Sequence, residues 1–441
     1  MAGTQVDVVP QPGRGRVSAQ LRRRPAVGLP AVIAVQGAAL AVLGGLDGSP
    51  GWRAARVLAV ITVAALAAWF TGRARRAARG AVALALGIVG TAAGGGVATG
   101  HLAKAGLDTA AVLAVIVLVT GVILLIWGAA ALVRAMPGWW RLLAVPVALA
   151  LLWFVLVPLT LALLITNRPP GPLGRATPAV YGLSYREVAF RTADGVRLSA
   201  WYIPPRNGAA VMLLPGAGSA RTAVLGQAAV LARHGYGTLL VDTRGHGRSG
   251  GHAMDFGWQG GRDIAAAVSF LARQPGVRPG KIAVVGESMG GEQGLAAIGG
   301  DPRIGAVVAE GATGQQLADH GWQPPGIEGA LTHGMEWVMF TAAGLISGAP
   351  RPVSIPDSIR GAAPRPVLII AGAAKADEPI AARWFQAASA ATVHVWVVPH
   401  AGHTQGLATT PRAWETHVIS FLNAALHPVA PAAPRAAGRN G

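Results

Sequence analysis

The stretch Lys281-Ile-Ala-Val-Val-Gly-Glu-Ser-Met-Gly-Gly-Glu292 decides how the second half of the chain is interpreted. Its apolar run is typical of a buried strand, it stops at Gly286-Glu-Ser-Met-Gly290, and helix-forming residues follow. A G-x-S-x-G turn between a strand and a helix holds its serine at a strained apex, and the flanking glycines let the backbone pass. The pattern predicts that Ser288 projects into solvent as a nucleophile. The chain contains 61 glycines, so a chance match is the alternative.

The composition divides the chain into two unlike parts. Roughly the first 167 of its 441 residues are rich in Ala, Val, Leu and Gly, and nearly all the acidic residues lie in the remainder. Many of the arginines behind the net charge of +18 flank apolar runs, so we interpret these arginines as membrane orientation signals, not as a nucleic-acid surface. The absence of cysteine excludes disulfides and thiolate metal sites.

The first part is predicted to be a membrane region. A helix needs about 20 apolar residues to cross the hydrocarbon core of a bilayer. The second of five apolar stretches is shorter, but Arg56 and Arg73 can reach the two interfaces from its ends. A cleaved signal peptide is disfavoured, because four more apolar stretches follow the first one. The predicted spans are residues 25–46, 57–72, 80–100, 109–133 and 142–167, after a basic tail at 1–24 that is predicted to be disordered.

The distribution of Lys and Arg predicts the orientation of this region. Five arginines precede the first span, four lie between spans two and three, and two lie between spans four and five. The loops on the other side hold fewer basic residues, and each is accompanied by an aspartate. The positive-inside rule therefore places the amino terminus in the cytoplasm and everything after Asn167 outside the cytoplasmic membrane.

After a Pro/Gly-rich linker at 168–180, the pattern predicts an α/β domain at 181–427, with a parallel sheet covered on both faces, and a disordered tail at 428–441. The order of strands and helices breaks at 311–365, where we expect a cap insertion containing an apolar piece, Gly334–Ile346. The expected strands are 184–192, 197–204, 209–215, 237–242, 281–286, 304–310, 366–372 and 392–399. The expected helices are 220–234, 261–273, 290–298, 379–390 and 411–426.

Two further motifs resemble a known family. Ala193-Asp-Gly-Val-Arg-Leu-Ser-Ala-Trp-Tyr202 is similar to the hairpin entry of α/β-hydrolases of the serine-aminopeptidase-like and membrane-anchored depalmitoylase-like branches. Val241-Asp-Thr-Arg-Gly-His-Gly-Arg-Ser-Gly250 is similar to their turn after strand four. Together with the serine turn, these motifs make residues 184–426 resemble an α/β-hydrolase domain. The resemblance implies a serine, acid and histidine in that chain order.

A serine hydroxyl needs a base, and the base needs a carboxylate that fixes its tautomer. The resemblance places the base after the last strand, at His403 in Pro399-His-Ala-Gly-His-Thr-Gln405. For the acid we choose Asp377 after the seventh strand, with Glu378 and Glu310 as alternatives. Asp377 lies somewhat farther from that strand than the family pattern expects.

An oxyanion hole needs two backbone donors. The family pattern implies Met289, which follows the nucleophile, and Ala217 in the loop Leu214-Pro-Gly-Ala-Gly-Ser219. The family commonly has His-Gly where this chain has Pro215-Gly216, so a supporting side chain is missing. No metal or phosphate-binding motif is present in the sequence, and we expect no cofactor.

The sequence therefore predicts a membrane-anchored serine hydrolase that cleaves an ester, thioester or amide, with a small-molecule or lipid-like acyl substrate. The bilayer is the expected partner, and no nucleic acid is expected. Two alternatives stay open: a membrane scaffold or sensor whose hydrolase-like domain binds without turnover, and an aminopeptidase-like serine peptidase. The sequence leaves the oligomeric state and the need for five spans unexplained.

Overall fold

The computed structural model describes residues 28–46, 50–251 and 255–426, so both predicted tails lie outside the described residues. Its first part consists of five helices that are long and apolar enough to cross a membrane. The second helix has 24 residues, more than its apolar stretch indicated, because Arg53 and Arg56 continue the helix. The helices are α1 Leu29–Leu46, α2 Pro50–Arg73, α3 Arg76–Lys104, α4 Thr109–Ala135 and α5 Trp140–Thr166.

Small residues bring α3 close to its neighbours. A Cβ added at Gly94 would lie 2.5 Å from the Cα of Leu118 in α4, and one at Gly96 would lie 2.7 Å from the carbonyl oxygen of Thr160 in α5. Glycine at these positions therefore lets three apolar helices pack backbone to backbone.

The second part contains an eight-stranded sheet in the order β1-β2-β4-β3-β5-β6-β7-β8. The pairs β1–β2 and β2–β4 are antiparallel, and the other neighbours are parallel. All eight predicted strands are present. Their bounds are Arg186–Arg191, Arg197–Ile203, Ala210–Leu214, Gly237–Asp242, Ile282–Glu287, Ile304–Glu310, Val367–Gly372 and Val393–Val398.

Helices cover both faces of this sheet, and two separate apolar clusters fill the space between sheet and helices. Each predicted helix has a counterpart in the structure. The helices are α6 Leu225–Arg233, α7 Gly260–Ala272, α8 Met289–Ile298, α9 Ile327–Ser347, α10 Ile355–Ala362, α11 Asp377–Ala388, α12 Gly406–Thr409 and α13 Pro411–Leu426.

The insertion between β6 and β7 contains α9 and α10, so the apolar piece predicted at Gly334–Ile346 is the larger part of a 21-residue helix. Buried Asp319 accepts hydrogen bonds from the N–H groups of Gln315 and Gln316 at one end of this segment and of Ile355 at the other, at 2.7–3.2 Å. One carboxylate therefore holds both ends of the excursion together.

A second buried carboxylate joins the insertion to the helix that follows Ser288. Glu292 accepts hydrogen bonds from the N–H groups of Thr313 and Gly314, each at 3.0 Å. It therefore does more than stabilise the start of α8. Burial raises the pKa of Glu292.

Candidate active site

Ser288 lies at the turn between β5 and α8, with φ 50° and ψ −122°. This left-handed region is strained for a residue other than glycine. The turn passes close to the end of β3, since a Cβ at Gly290 would lie 2.5 Å from the carbonyl oxygen of Leu214. The local geometry therefore matches the predicted elbow, including its need for glycine.

The end of β6 connects Ser288 with the predicted base. The N–H of Ser288 donates to the carbonyl oxygen of Glu310 at 2.7 Å. The next residue, Gly311, faces the imidazole of His403, because a Cβ added there would lie 3.1 Å from its Nδ1 and Cε1 atoms. Ser288 and His403 therefore adjoin two consecutive residues at the carboxyl edge of the sheet.

His403 follows β8, as predicted, and its Nδ1 lies 2.7 Å from Oε1 of Glu378. The other carboxylate oxygen of Glu378 accepts the N–H of Gly372 at 2.7 Å, and the side chain is 2% exposed. The hydrogen bond to Glu378 raises the pKa of His403. Since the carboxylate accepts at Nδ1, the neutral imidazole carries its proton there and leaves Nε2 free as a base.

The choice of Asp377 as the carboxylate that contacts His403 is wrong, and the alternative Glu378 takes that position. Helix α11 begins at Asp377, so consecutive residues point about 100° apart around its axis. Asp377 is exposed, whereas Glu378 is buried and turns towards Gly372 and His403.

Glu310, the other alternative acid, is engaged elsewhere. Its Oε1 accepts the N–H of Gly406 at 2.7 Å, and its Oε2 accepts the indole N–H of Trp414 at 2.9 Å. Burial raises its pKa. Glu310 is therefore a strand-end residue that fixes the segment after His403.

The neighbouring Glu287 carries a further perturbed carboxyl group. Burial and the nearby Glu310 raise the pKa of Glu287 to about 8, and Gln227 donates a hydrogen bond to it. A protonated Glu287 adds no negative charge beside Ser288 at neutral pH.

The two predicted oxyanion donors lie beside Ser288. Met289 is the first residue of α8, so the helix does not use its N–H. Gly216 packs under the nucleophile, since a Cβ added there would lie 3.2 Å from Cβ of Ser288. Within the described part of the chain, the N–H of the adjoining, exposed Ala217 donates to no protein acceptor.

The peptide of Gly218, next to Ala217, is held from both sides. Its N–H donates to Nε2 of His246 at 3.0 Å, and its carbonyl oxygen accepts from Nζ of Lys104 at 3.2 Å. Arg168 packs on the same residue, because a Cβ at Gly218 would lie 2.7 Å from its Cζ. Burial lowers the pKa of His246 and so favours the neutral acceptor.

His246 thus supplies a support that Pro215 cannot give. Lys104 and Arg168 were not singled out from the sequence as site residues, and they come from the ends of the apolar helices. No local signal reveals them, because the Lys104–Gly218 contact joins residues 114 positions apart.

The order of the strands and the strained serine between β5 and α8 together decide the classification. This half of the chain is an α/β-hydrolase domain. A family model described as X-Pro dipeptidyl-peptidase (S15 family) matches residues 194–354 of it. That match covers less than half of the chain.

Curated relatives match the hydrolase domain over limited segments. The polyketide transferase ATR5 of Stachybotrys chlorohalonatus is 36% identical over 132 residues, which are 29% of this chain and 44% of the relative. The thiohydrolase aneE of Aspergillus aculeatus is 33% identical over 131 residues, 29% and 41% of the two chains. The chain therefore spans less than half the length of these relatives.

Solved structures are similar to the same part of the chain. The Pyrococcus furiosus esterase Pf2001 has a TM-score of 0.49 and 24% identity, over 58% of this chain and 97% of the esterase. The α/β-hydrolase GrgF from Penicillium has a TM-score of 0.44 and 22% identity, over 55% of this chain and 99% of GrgF.

Among the described residues, no group of three His, Cys, Asp or Glu side chains is placed to hold a metal ion.

Proposed function

We propose that this protein is a membrane-anchored serine hydrolase that forms an acyl-enzyme on Ser288. The observation that carries the proposal is the contact between His403 and buried Glu378. His403 lies beside Gly311, and the preceding residue, Glu310, accepts the N–H of the strained Ser288. Nucleophile, acid and base then follow one another in the chain order expected of the fold.

In the proposed reaction, Nε2 of His403 accepts the hydroxyl proton as Ser288 Oγ attacks the substrate carbonyl carbon. Glu378 keeps the other imidazole nitrogen protonated and stabilises the imidazolium that forms. The N–H groups of Met289 and Ala217 stabilise the oxyanion. The imidazolium then protonates the leaving group, and a water molecule deprotonated by His403 hydrolyses the acyl-serine.

The substrate class is an ester, thioester or amide, and we favour the first two. An esterase and a thiohydrolase are among the proteins that this chain resembles. The family model, whose description names a dipeptidyl-peptidase, is the observation that favours an amide. Turnover of p-nitrophenyl esters and acyl thioesters of several chain lengths, compared with X-Pro anilides, distinguishes these classes.

The non-catalytic alternative is a scaffold or sensor whose domain binds a ligand without cleaving it. A fluorophosphonate probe separates the two functions, because it reacts only with a serine that an adjacent base activates. We expect stoichiometric labelling of the full-length protein at Ser288. Unlabelled, folded protein favours the scaffold.

We also propose that the amino terminus is cytoplasmic and that the hydrolase domain lies outside the cytoplasmic membrane. The arginines at the junction of α2 and α3 support this orientation, since Arg73 ends α2 and Arg76 and Arg79 lie at the start of α3. Alkaline phosphatase, a reporter that is active only after export, should be active when it is fused after Arg175. Activity of a cytoplasm-dependent reporter at that position contradicts the orientation.

Lys104 is proposed as a positioning residue for the oxyanion loop. Lys104→Met removes the hydrogen bond to Gly218, and we expect kcat to fall about three- to tenfold with KM nearly unchanged, since one oxyanion donor is worth about 100-fold or more. Lys104→Arg, which can still donate to the carbonyl oxygen, should retain most of kcat in steady-state assays. Equal kcat for wild type and Lys104→Met contradicts this role.

A further inference from the structure

We propose that α9 of the insertion enters the hydrocarbon of the bilayer beside α5, so that the hydrolase domain contacts lipid directly. This inference rests on the proposed membrane anchoring and does not depend on the catalytic assignment. It makes α9 a re-entrant element that begins deep and rises towards the domain.

The depth of α9 follows from its contacts with α5. A Cβ added at Gly334 would lie 2.9 Å from Cζ of Phe154, and Phe340 and Ala343 share an apolar cluster with Ala162. The contacts advance along both helices in the same direction, so the helices run parallel. Phe154 lies about 18 Å of helix length from Thr166, at 1.5 Å per residue. If α5 spans the bilayer, Gly334 therefore lies beside the hydrocarbon-spanning part of α5.

The two ends of α9 agree with this placement. Its carboxyl end approaches α2, since a Cβ at Gly348 would lie 3.9 Å from the ring of Trp52. Trp52 stands in the first turn of α2, on the same side of the membrane as the end of α5. Ile327 begins α9 about 10 Å below Gly334. Residues 323–326 connect Ile327 with Trp322, whose indole N–H donates to the carbonyl oxygen of Thr313 in the domain at 3.0 Å.

The outer face of α9 is apolar. Ile327, Leu331 and Leu345 are 81%, 51% and 75% exposed, and their spacings of four and fourteen residues place them on one stripe. The opposite face, with Phe340 and Ala343, is buried. A helix that is apolar on both faces fits a hydrocarbon surrounding.

The charges of α9 avoid this stripe. Glu336 turns inward, where its carboxylate lies 2.8 Å from Nδ1 of His320. Glu328 and His333 lie on the flanks of the helix, at about 100° and 240° from Ile327. Lipid is therefore the occupant that the exposed stripe fits, because a charged side chain is costly in hydrocarbon and none lies on that stripe.

The chain has no cysteine, so single-cysteine variants report one position each. The probe is bimane attached to Leu331→Cys in full-length protein, in vesicles that contain lipids with a nitroxide on the middle of the acyl chain. Leu151→Cys is the matched control, because Leu151 is exposed on α5 three residues before Phe154, as Leu331 is three before Gly334. Arg248→Cys, on the hydrolase surface, is the aqueous control.

We expect the nitroxide lipids to quench bimane at Leu331→Cys and Leu151→Cys to a similar extent, and Arg248→Cys little. A water-soluble maleimide should label Leu331→Cys at least tenfold more slowly than Arg248→Cys in intact vesicles. Quenching at Leu151→Cys without quenching at Leu331→Cys overturns the inference and leaves membrane anchoring in place. If the nitroxide lipids do not quench bimane at Leu331→Cys but the maleimide still labels this variant slowly, then protein, such as a second copy, covers α9.

Discussion

Replacing Ser288 with alanine is expected to lower kcat for a short-chain p-nitrophenyl ester by about 10⁴-fold or more, because loss of the nucleophile leaves only the oxyanion donors and substrate binding. Alanine has the same backbone preferences at this strained turn, where φ is 50°. We therefore expect the variant to fold as the wild type does. Initial rates for the two purified proteins in detergent or vesicles measure the effect.

The fluorophosphonate probe serves as the control for this variant. Labelling should disappear in Ser288→Ala and persist in Lys104→Met, which keeps the nucleophile. Full turnover by Ser288→Ala would show that another group carries the reaction.

Removing the charge of Glu378 is expected to lower kcat by about 10³- to 10⁴-fold, as loss of the orienting carboxylate does in serine hydrolases. Glu378→Gln keeps the size of the side chain but can present its N–H to Nδ1 of His403 and favour the wrong tautomer. Asp377→Asn is the matched control and should stay within about twofold of wild type, since Asp377 is exposed and makes no contact with the base. A larger loss in Asp377→Asn than in Glu378→Gln reverses the assignment.

The dependence of kcat/KM on pH is a second measurement that compares the wild type with Glu378→Gln. His403 acts as a base only when neutral, so kcat/KM should rise as pH increases through its pKa. The bond to Glu378 raises that pKa, which places the acidic limb of the wild-type profile above the ordinary value of about 6.5. Glu378→Gln removes the cause, and the limb should move to lower pH. An unchanged limb in Glu378→Gln contradicts the proposed pair.

Local signals were sufficient to predict much of the fold. Runs rich in Val, Ile and Leu predicted the strands. The glycines on both sides of Ser288 predicted its turn, because the backbone can pass so tight a turn, with φ 50° at the serine, only where its neighbours are small. His403 was chosen because it follows the last strand, where the family resemblance places the base. These features depend on residues close together in the chain, and a single sequence contains that information.

The remaining features depend on contacts between distant residues or on where a helix begins. Asp377 and Glu378 are adjacent acids, and only the start of α11 at Asp377 decides which one faces the histidine. The contact of Lys104 with Gly218 joins the five apolar helices to the hydrolase domain, so neither half predicts it alone. Glu292 has the sequence context of a helix start, but its partners lie in the insertion.

The carboxylate of Asp319 makes the insertion a closed excursion, because it holds residues on both sides of the segment 320–354. Once the ends of a loop are fixed, doubling its length costs only about 0.6 kcal/mol of closure entropy. The excursion can therefore be lengthened, shortened or exchanged during evolution without moving Ser288, Glu378 or His403. Proteins with this core can therefore differ in the substrates that they accept while they keep the same reaction. The segment 320–354 is also the natural place to introduce a new substrate specificity.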